Sequence, residues 1–244
     1  MRLGHEFYAR SVHEVARDLI GCTIRHGVTA GRVVETESYH ESEPACHAHV
    51  GVTARSRTLF GPPGHAYVYF SYGVHSLLNA VAEPAGVGAA VLIRALEPLE
   101  GVDVMRRRRR VDRAEDLCSG PGKLTQALGI SLALNESSLL DGPIEVLARP
   151  AGARLPSIAR SERVGITKAV ELPWRFCDRD SPHISRPRPA AQGPPRAARG
   201  SYPGALAPPS AAPPEPGLGA GAGAGAGDGS GAFWGGAFSL GALG

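Results

Sequence analysis

Two acidic residues stand at alternate positions in "RVVETESYH" (residues 32–40), Glu35 and Glu37, and Tyr39 takes the next one. Val33, Val34 and Thr36 are β-branched and predict a strand. Alternation along a strand then puts Glu35, Glu37 and Tyr39 on one face. Carboxylates so placed are either solvated or line a polar pocket in which one can serve as a general base. Downstream, "ACHAHV" brings Cys46, His47 and His49 together. H-x-H beside a cysteine is a fragment of a zinc site, but no further ligand follows at a metal-binding spacing, so no metal is expected.

Of six tyrosines, three (Tyr67, Tyr69 and Tyr72) fall within "AYVYFSYGVHSLLN" (66–79). In a strand Tyr67 and Tyr69 share one face and Val68 and Phe70 the other, which by itself is ordinary core packing. Tyr72 differs, because Ser71-Tyr72-Gly73 falls where the chain must reverse. A ring projecting from a hairpin tip suits insertion between stacked bases, or a protein–protein contact. "MRRRRRVDR" wraps its arginines around a helix, so most are solvated and a subset is free to meet phosphate. "CSGPGKLTQALGI" sets Gly120 and Gly122 ahead of a helix with Lys123 in its first turn, a place for a phosphate but without Walker A spacing.

The elements that must position these residues read as follows. "RSVHEVARDLIGC" is a helix with a Ser11/Glu14 capping box and a stop at Gly21. "CTIRH" and "GRVVETESY" are strands around the turn "GVTAG", and "HAYVYF" pairs with "VHSLLNAVA" across "SYG". "GAAVLIRALEP" is a buried strand, and "GPIEVLAR" and "WRFCDRD" are late strands. "LEGVDVMRRRRRVDRAEDL" and "GPGKLTQALGI" are helical. Strands outnumber helices and connections are short. We therefore expect a mixed α/β (α+β) domain over residues 1–189, a curved, largely antiparallel sheet flanked by helices.

From residue 190 to 244 the chain is Pro, Ala and Gly with little to bury, and is expected to be disordered. This tail has two arginines, one glutamate and one aspartate, so the net charge of +3 resides in the domain. Mild basicity permits a nucleic-acid partner without requiring one. Four scattered cysteines, no apolar leader and no membrane-length apolar run point to a reducing, cytoplasmic setting and no membrane.

In order along the chain, "RVVETESY", "ACHA", "FGPPGHAYVYFSYGVHSLLN", "VLIRALEPLEG", "CSGPGKLTQALGI", "RVGI" and "PWRF" resemble the alkyladenine (3-methyladenine) DNA glycosylases. The likeness spans nearly all of residues 3–186 and none of the tail. It implies an enzyme that flips a damaged purine out of double-stranded DNA and hydrolyses its N-glycosidic bond. It makes Glu37 the general base for the attacking water, with Arg94 and the Val164 carbonyl holding that water. Tyr39, His47 and Tyr69 would sandwich the base, Asn79 would disfavour guanine, and Tyr72 would fill the vacated gap. Tyr67 would be structural. Arg55, Arg57 and Lys123 are candidate phosphate contacts. The resemblance further implies a monomer that needs no cofactor and, lacking a catalytic lysine, has no strand-nicking step. The compartment would be the bacterial nucleoid or, in a eukaryote, the nucleus.

The chain departs from the family pattern in the brief connection between "RRRRR" and "LCSGP" and in the tail. Two other readings compete. One is a soluble nucleoside hydrolase using Glu35 and Glu37 as an acid/base pair. The other is a non-enzymatic binder of distorted DNA.

Overall fold

The computed structural model describes residues 1–71, 73 and 75–189. Tyr72, Val74 and the segment 190–244, on which the tail expectation falls, lie outside the described residues. The described chain runs α1 (His5–Tyr8), α2 (Val12–Leu19), β1 (Thr23–His26), β2 (Thr29–His40), β3 (Ala66–Ser71), β4 (His75–Val81) and β5 (Ala89–Glu100). It continues with α3 (Val102–Arg109), α4 (Ala114–Leu117), α5 (Pro121–Leu128), β6 (Ile144–Leu147), β7 (Ile158–Ser161) and β8 (Arg175–Asp178). All eight strands join one curled antiparallel sheet in the order β3-β4-β5-β2-β1-β6, with β8 on β2 and β7 on β8. The expected mixed α/β class with a curved antiparallel sheet is what the structure contains.

β2 is the axis of the sheet. Along one edge it pairs with β5; along the other its first half pairs with β1 and residues Glu35, Thr36 and Glu37 pair with β8. Register shifts between Val33 and Thr36 mark the changeover, and such bulges bend a strand and re-aim its side chains. The apolar face of α2 (Val12, Val15, Ala16, Leu19) packs with Val33, Val91, Ile93 and the buried side of α5 into the main core. A smaller cluster of Cys46, Ala48, Leu59, Tyr67, Val81 and Ala90 lies apart from it, with Tyr39 and Tyr69 against it. β3 is thus buried on both faces over its first half, Val68 in the main core and Tyr67 in the aromatic cluster, while Phe70 emerges near its end.

Several local expectations are corrected. Ser11 makes no side-chain cap; the first N–H of α2, from Val12, instead donates to Glu83 at 2.9 Å. That carboxylate is presented by a left-handed residue (φ 67°) in the turn after β4, a partner that local sequence cannot reveal. The first hairpin is tighter than "GVTAG", because Thr29 already pairs with His26. The long arginine-rich helix is two, since Arg110 turns left-handed (φ 54°) and ends α3. β7 and α1 are too short to carry a periodic signal and were not expected.

Most of the arginine run is exposed, as expected, but some of its guanidiniums also bond back to the protein. Arg108 donates to the Ala127 carbonyl at the end of α5, and Arg109 donates to the Leu117 carbonyl and to Gln126. These guanidiniums satisfy terminal carbonyls that a helix leaves open.

Candidate active site

Antiparallel partners project to the same side of a sheet, so register decides which side chains meet. Glu37 pairs with Leu92, Tyr39 with Ala90, Leu92 with Asn79, Asn79 with Tyr67, and Tyr69 with Leu77. Arg94 is one strand repeat beyond Leu92 and shares its face. Four strands therefore aim Glu37, Tyr39, Tyr67, Tyr69, Asn79 and Arg94 at one place. There the molecule has a cavity of about 680 Å³, lined among others by Tyr39, His47, Tyr69, Asn79, Arg94 and Val164. The lining also includes the exposed Arg55 and His75 and the start of α5 from Gly120 to Lys123. Gly122 is needed for that approach, since a Cβ there would lie 2.7 Å from the Cβ of His75.

The two carboxylates are not solvated; neither has exposed surface. Glu37 Oε1 accepts from the Val164 N–H at 2.7 Å. Its Oε2 accepts from the Tyr39 hydroxyl at 2.8 Å and from Arg94 Nη1 at 3.2 Å. Arg94 Nη1 also reaches the Val164 carbonyl at 3.3 Å. A carboxylate has about four acceptor positions, so three donors leave one open on Oε1. Burial raises the Glu37 carboxyl above its usual range, and Arg94, the Val164 N–H and the Tyr39 hydroxyl only partly offset it.

Glu35 is arranged differently. Arg94 Nε, Arg175 Nε and the Ser185 hydroxyl all donate to its Oε1, at 2.9, 2.7 and 2.8 Å, and the Ser185 N–H donates to Oε2 at 2.6 Å. Burial alone would raise this carboxyl, but Arg94, Arg175 and Ser185 outweigh it and hold it below the usual range. Held below the usual range and bound by four donors, Glu35 cannot serve as the acid of a paired-carboxylate mechanism.

The aromatic wall is built from neighbours that fix one another. Tyr67 and Tyr69 stack with centroids 5.3 Å apart, and His47 meets Tyr69 edge-on at 4.8 Å. His47 Nδ1 is 3.0 Å from the Tyr67 hydroxyl, and burial together with the Arg55 cation lowers its pKa to about 4. Burial pushes the Tyr69 hydroxyl up to about 12, so it stays protonated. Asn79 Nδ2 donates to the Tyr67 carbonyl at 3.0 Å, which fixes how its amide faces the cavity. Arg55 lies 5.4 Å from the Tyr69 centroid. Arg57 is mostly exposed beside Glu136 and does not line the cavity, while Lys123 does, with its amine on Ser119 Oγ at 3.3 Å.

Residue-by-residue reading missed a second buried ion pair. Arg163 forks onto Glu43 at 2.6 and 3.0 Å. Its guanidinium sits 4.6 Å from the Tyr39 centroid and 5.1 Å from that of Trp174. The motif "RVGI" contained the arginine, but nothing in sequence announced its acid 120 residues earlier. Arg175 and Ser185 were missed for the same reason. Among the described residues no three His, Cys, Asp or Glu side chains gather as a metal site requires.

A family model described as methylpurine-DNA glycosylase matches residues 6–182. The chain belongs to the methylpurine-DNA glycosylase family. It is accordingly a DNA repair enzyme, a DNA glycosylase that hydrolyses N-glycosyl compounds. Among curated relatives, a protein of Rhodopseudomonas palustris is 51% identical over 183 residues, 75% of this chain and 87% of the relative. One from Methanoculleus marisnigri is 50% identical over 191 residues, 76% of this chain and 100% of the relative. One from Nitrosospira multiformis is 47% identical over 182 residues, 75% of this chain and 92% of the relative. Each carries the name "Putative 3-methyladenine DNA glycosylase". Among the described residues no helix is long and apolar enough to cross a membrane.

Proposed function

We propose that this glycosylase acts as a monomer on 3-methyladenine and related alkylated or deaminated purines in double-stranded DNA, and that it extrudes the base into the 680 Å³ cavity before cutting. The observation carrying this reading is a fully buried carboxylate directly behind an aromatic-lined cavity, joined to it through Tyr39, Arg94 and Val164. An acid opposes binding of a polyanion, so its placement makes sense when chemistry requires it.

Glu37 takes a proton from water as that water attacks C1′ on the face opposite the base. The open position on Oε1 receives that proton; Glu37 itself does not line the cavity, so in this mechanism the water comes to it past Arg94 and Val164, which do. Arg94 Nη1 and the Val164 carbonyl orient the water, and the anionic carboxylate stabilises the oxocarbenium-like transition state. A pKa raised by burial makes the Glu37 carboxylate a stronger base than an exposed one.

Tyr39, His47 and Tyr69 hold the flipped base, and Asn79 crowds the 2-amino group of guanine. A cationic, alkylated purine enters without repulsion from His47, which is neutral at pH 7. Tyr39 and Tyr69 each lie near a guanidinium already, so their attraction for a cation is shared with Arg163 and Arg55. Discrimination then rests chiefly on how readily the charged base leaves. Ser71 and His75 close the register of the β3–β4 hairpin, and Tyr72, between them in sequence, is assigned to fill the gap in the duplex. Arg55 and Lys123, which line the cavity and are exposed, and Arg57, two residues beyond Arg55, face the phosphates.

The test is release of hypoxanthine or ethenoadenine from a duplex carrying one such base, read by alkaline cleavage of the abasic product. Glu37→Gln should bind the lesion duplex yet lose about 10²–10⁴-fold in release; equal release by both proteins rejects the mechanism. Tyr72→Ala should weaken lesion binding by roughly 1–3 kcal/mol. Because Lys123 lines the cavity, the absence of a lyase step is checked separately. Borohydride should trap no covalent DNA adduct, and a trapped adduct abolished by Lys123→Ala would assign the chain a lyase activity.

A further inference from the structure

Ser185 lies just past residue 182, where the match to the family model ends, yet it is 4% exposed and hydrogen-bonded through every polar atom it has. Its N–H and hydroxyl donate to the two oxygens of Glu35. Its hydroxyl oxygen accepts from Arg94 Nη2 at 3.2 Å, and its carbonyl accepts from Arg175 Nη2 at 3.2 Å. The preceding Ile184 packs with Val34, Ala95 and Cys177, which anchors this stretch under the sheet.

A guanidinium is planar, so holding two of its nitrogens aims the third. Arg94 Nε is held by Glu35 and Nη2 by Ser185, and the remaining nitrogen, Nη1, is the one that meets Glu37 and the Val164 carbonyl. We propose that Ser185 is a positioning residue, which with Glu35 grips Arg94 from behind and so aims Nη1 at the general base and the water site. Ser185 lines no part of the cavity and touches no reacting atom. The segment just past the end of the family-model match therefore completes the hydrolytic centre. This inference rests on the assignment of Glu37 and Arg94 to the chemistry.

The experiment uses the full chain and single-turnover release of ethenoadenine from a duplex, beside lesion-duplex affinity and the thermal midpoint. Ser185→Ala should slow release about tenfold, the size of one charge-assisted hydrogen bond, and leave affinity within about twofold. Ser185→Thr, which keeps the hydroxyl, should stay near the wild-type rate and separates loss of the bond from loss of packing. In an Arg94→Ala background, Ser185→Ala should add nothing, because the group it positions is gone. A wild-type rate for Ser185→Ala, or the same fractional loss in both backgrounds, would overturn the proposal. Glu37→Gln decides at which level a failure lies. If it is inactive while Ser185→Ala is normal, only the role of Ser185 falls; if it releases base at the wild-type rate, the assignment of Glu37 falls and this inference with it.

Discussion

The arginine run on α3 and the three isolated arginines around β2 carry the same charged group in opposite settings. Arg106 to Arg109 occupy the last turns of a helix, where they cap carbonyls or meet solvent. Arg94, Arg163 and Arg175 stand singly in the sequence, are 6%, 5% and 2% exposed, and each is paired with a buried acid: Arg163 forks onto Glu43, Arg94 bridges Glu35 and Glu37, and Arg175 donates to Glu35. The difference teaches that density of charge along the chain says little about function. A buried guanidinium must be paired, and the pairing makes it a rigid, directional tool.

The comparison breaks most visibly at Arg175. Arg175→Ala leaves Glu35 with one guanidinium fewer in a dry site, and should cost about 3–5 kcal/mol in denaturant unfolding. A loss below 1 kcal/mol would put this arginine with the solvated ones.

Glu35→Gln tests the same network through pH and should cost about 2–3 kcal/mol at pH 7. Glu35 has a depressed native pKa, so its contribution is fully present above the unfolded value near 4.3 and is lost as pH falls through the native value. The stability gap between wild type and variant should therefore shrink steadily below about pH 4. A gap that does not change with pH, measured by urea midpoints, would show that packing and not charge is at stake.

Arg163→Lys keeps the charge but loses the fork onto Glu43 and the flat contact with Tyr39 and Trp174. It should slow base release about tenfold with a stability loss near 1–2 kcal/mol, because the Tyr39 ring and the adjoining Val164 lose their support. Arg107→Ala marks the other end of the scale. It is exposed within α3, and its effect on unfolding should stay within about 0.5 kcal/mol, with base release unchanged. A large loss there would abolish the contrast between the two sets.

Much of this arrangement was legible in the chain. Alternation in "RVVETESYH" put Glu35, Glu37 and Tyr39 on one face, and the hairpin, the long strand through Arg94 and α5 fall where their patterns place them. Short elements such as β7 escaped, because four residues carry too little periodicity. The Ser11/Glu14 cap failed because a better acceptor, Glu83, arrives from 71 residues away.

Sequence alone determined which residue types share a strand face, since side-chain alternation is a local property of the backbone, and it placed the chain beside its family through ordered motifs. Two glutamates one strand repeat apart are equivalent at that level. The family resemblance singles out Glu37, but only tertiary structure supplies a physical difference between them. Arg175 and Ser185, 140 and 150 residues downstream, reach Glu35 and lock it as an ion, whereas Glu37 is left facing the cavity wall with a raised pKa. The physical reason is that a carboxylate's ionisation and open lone pairs are set by whatever packs around it, and those neighbours come from strands whose meeting is decided by the fold of the whole sheet.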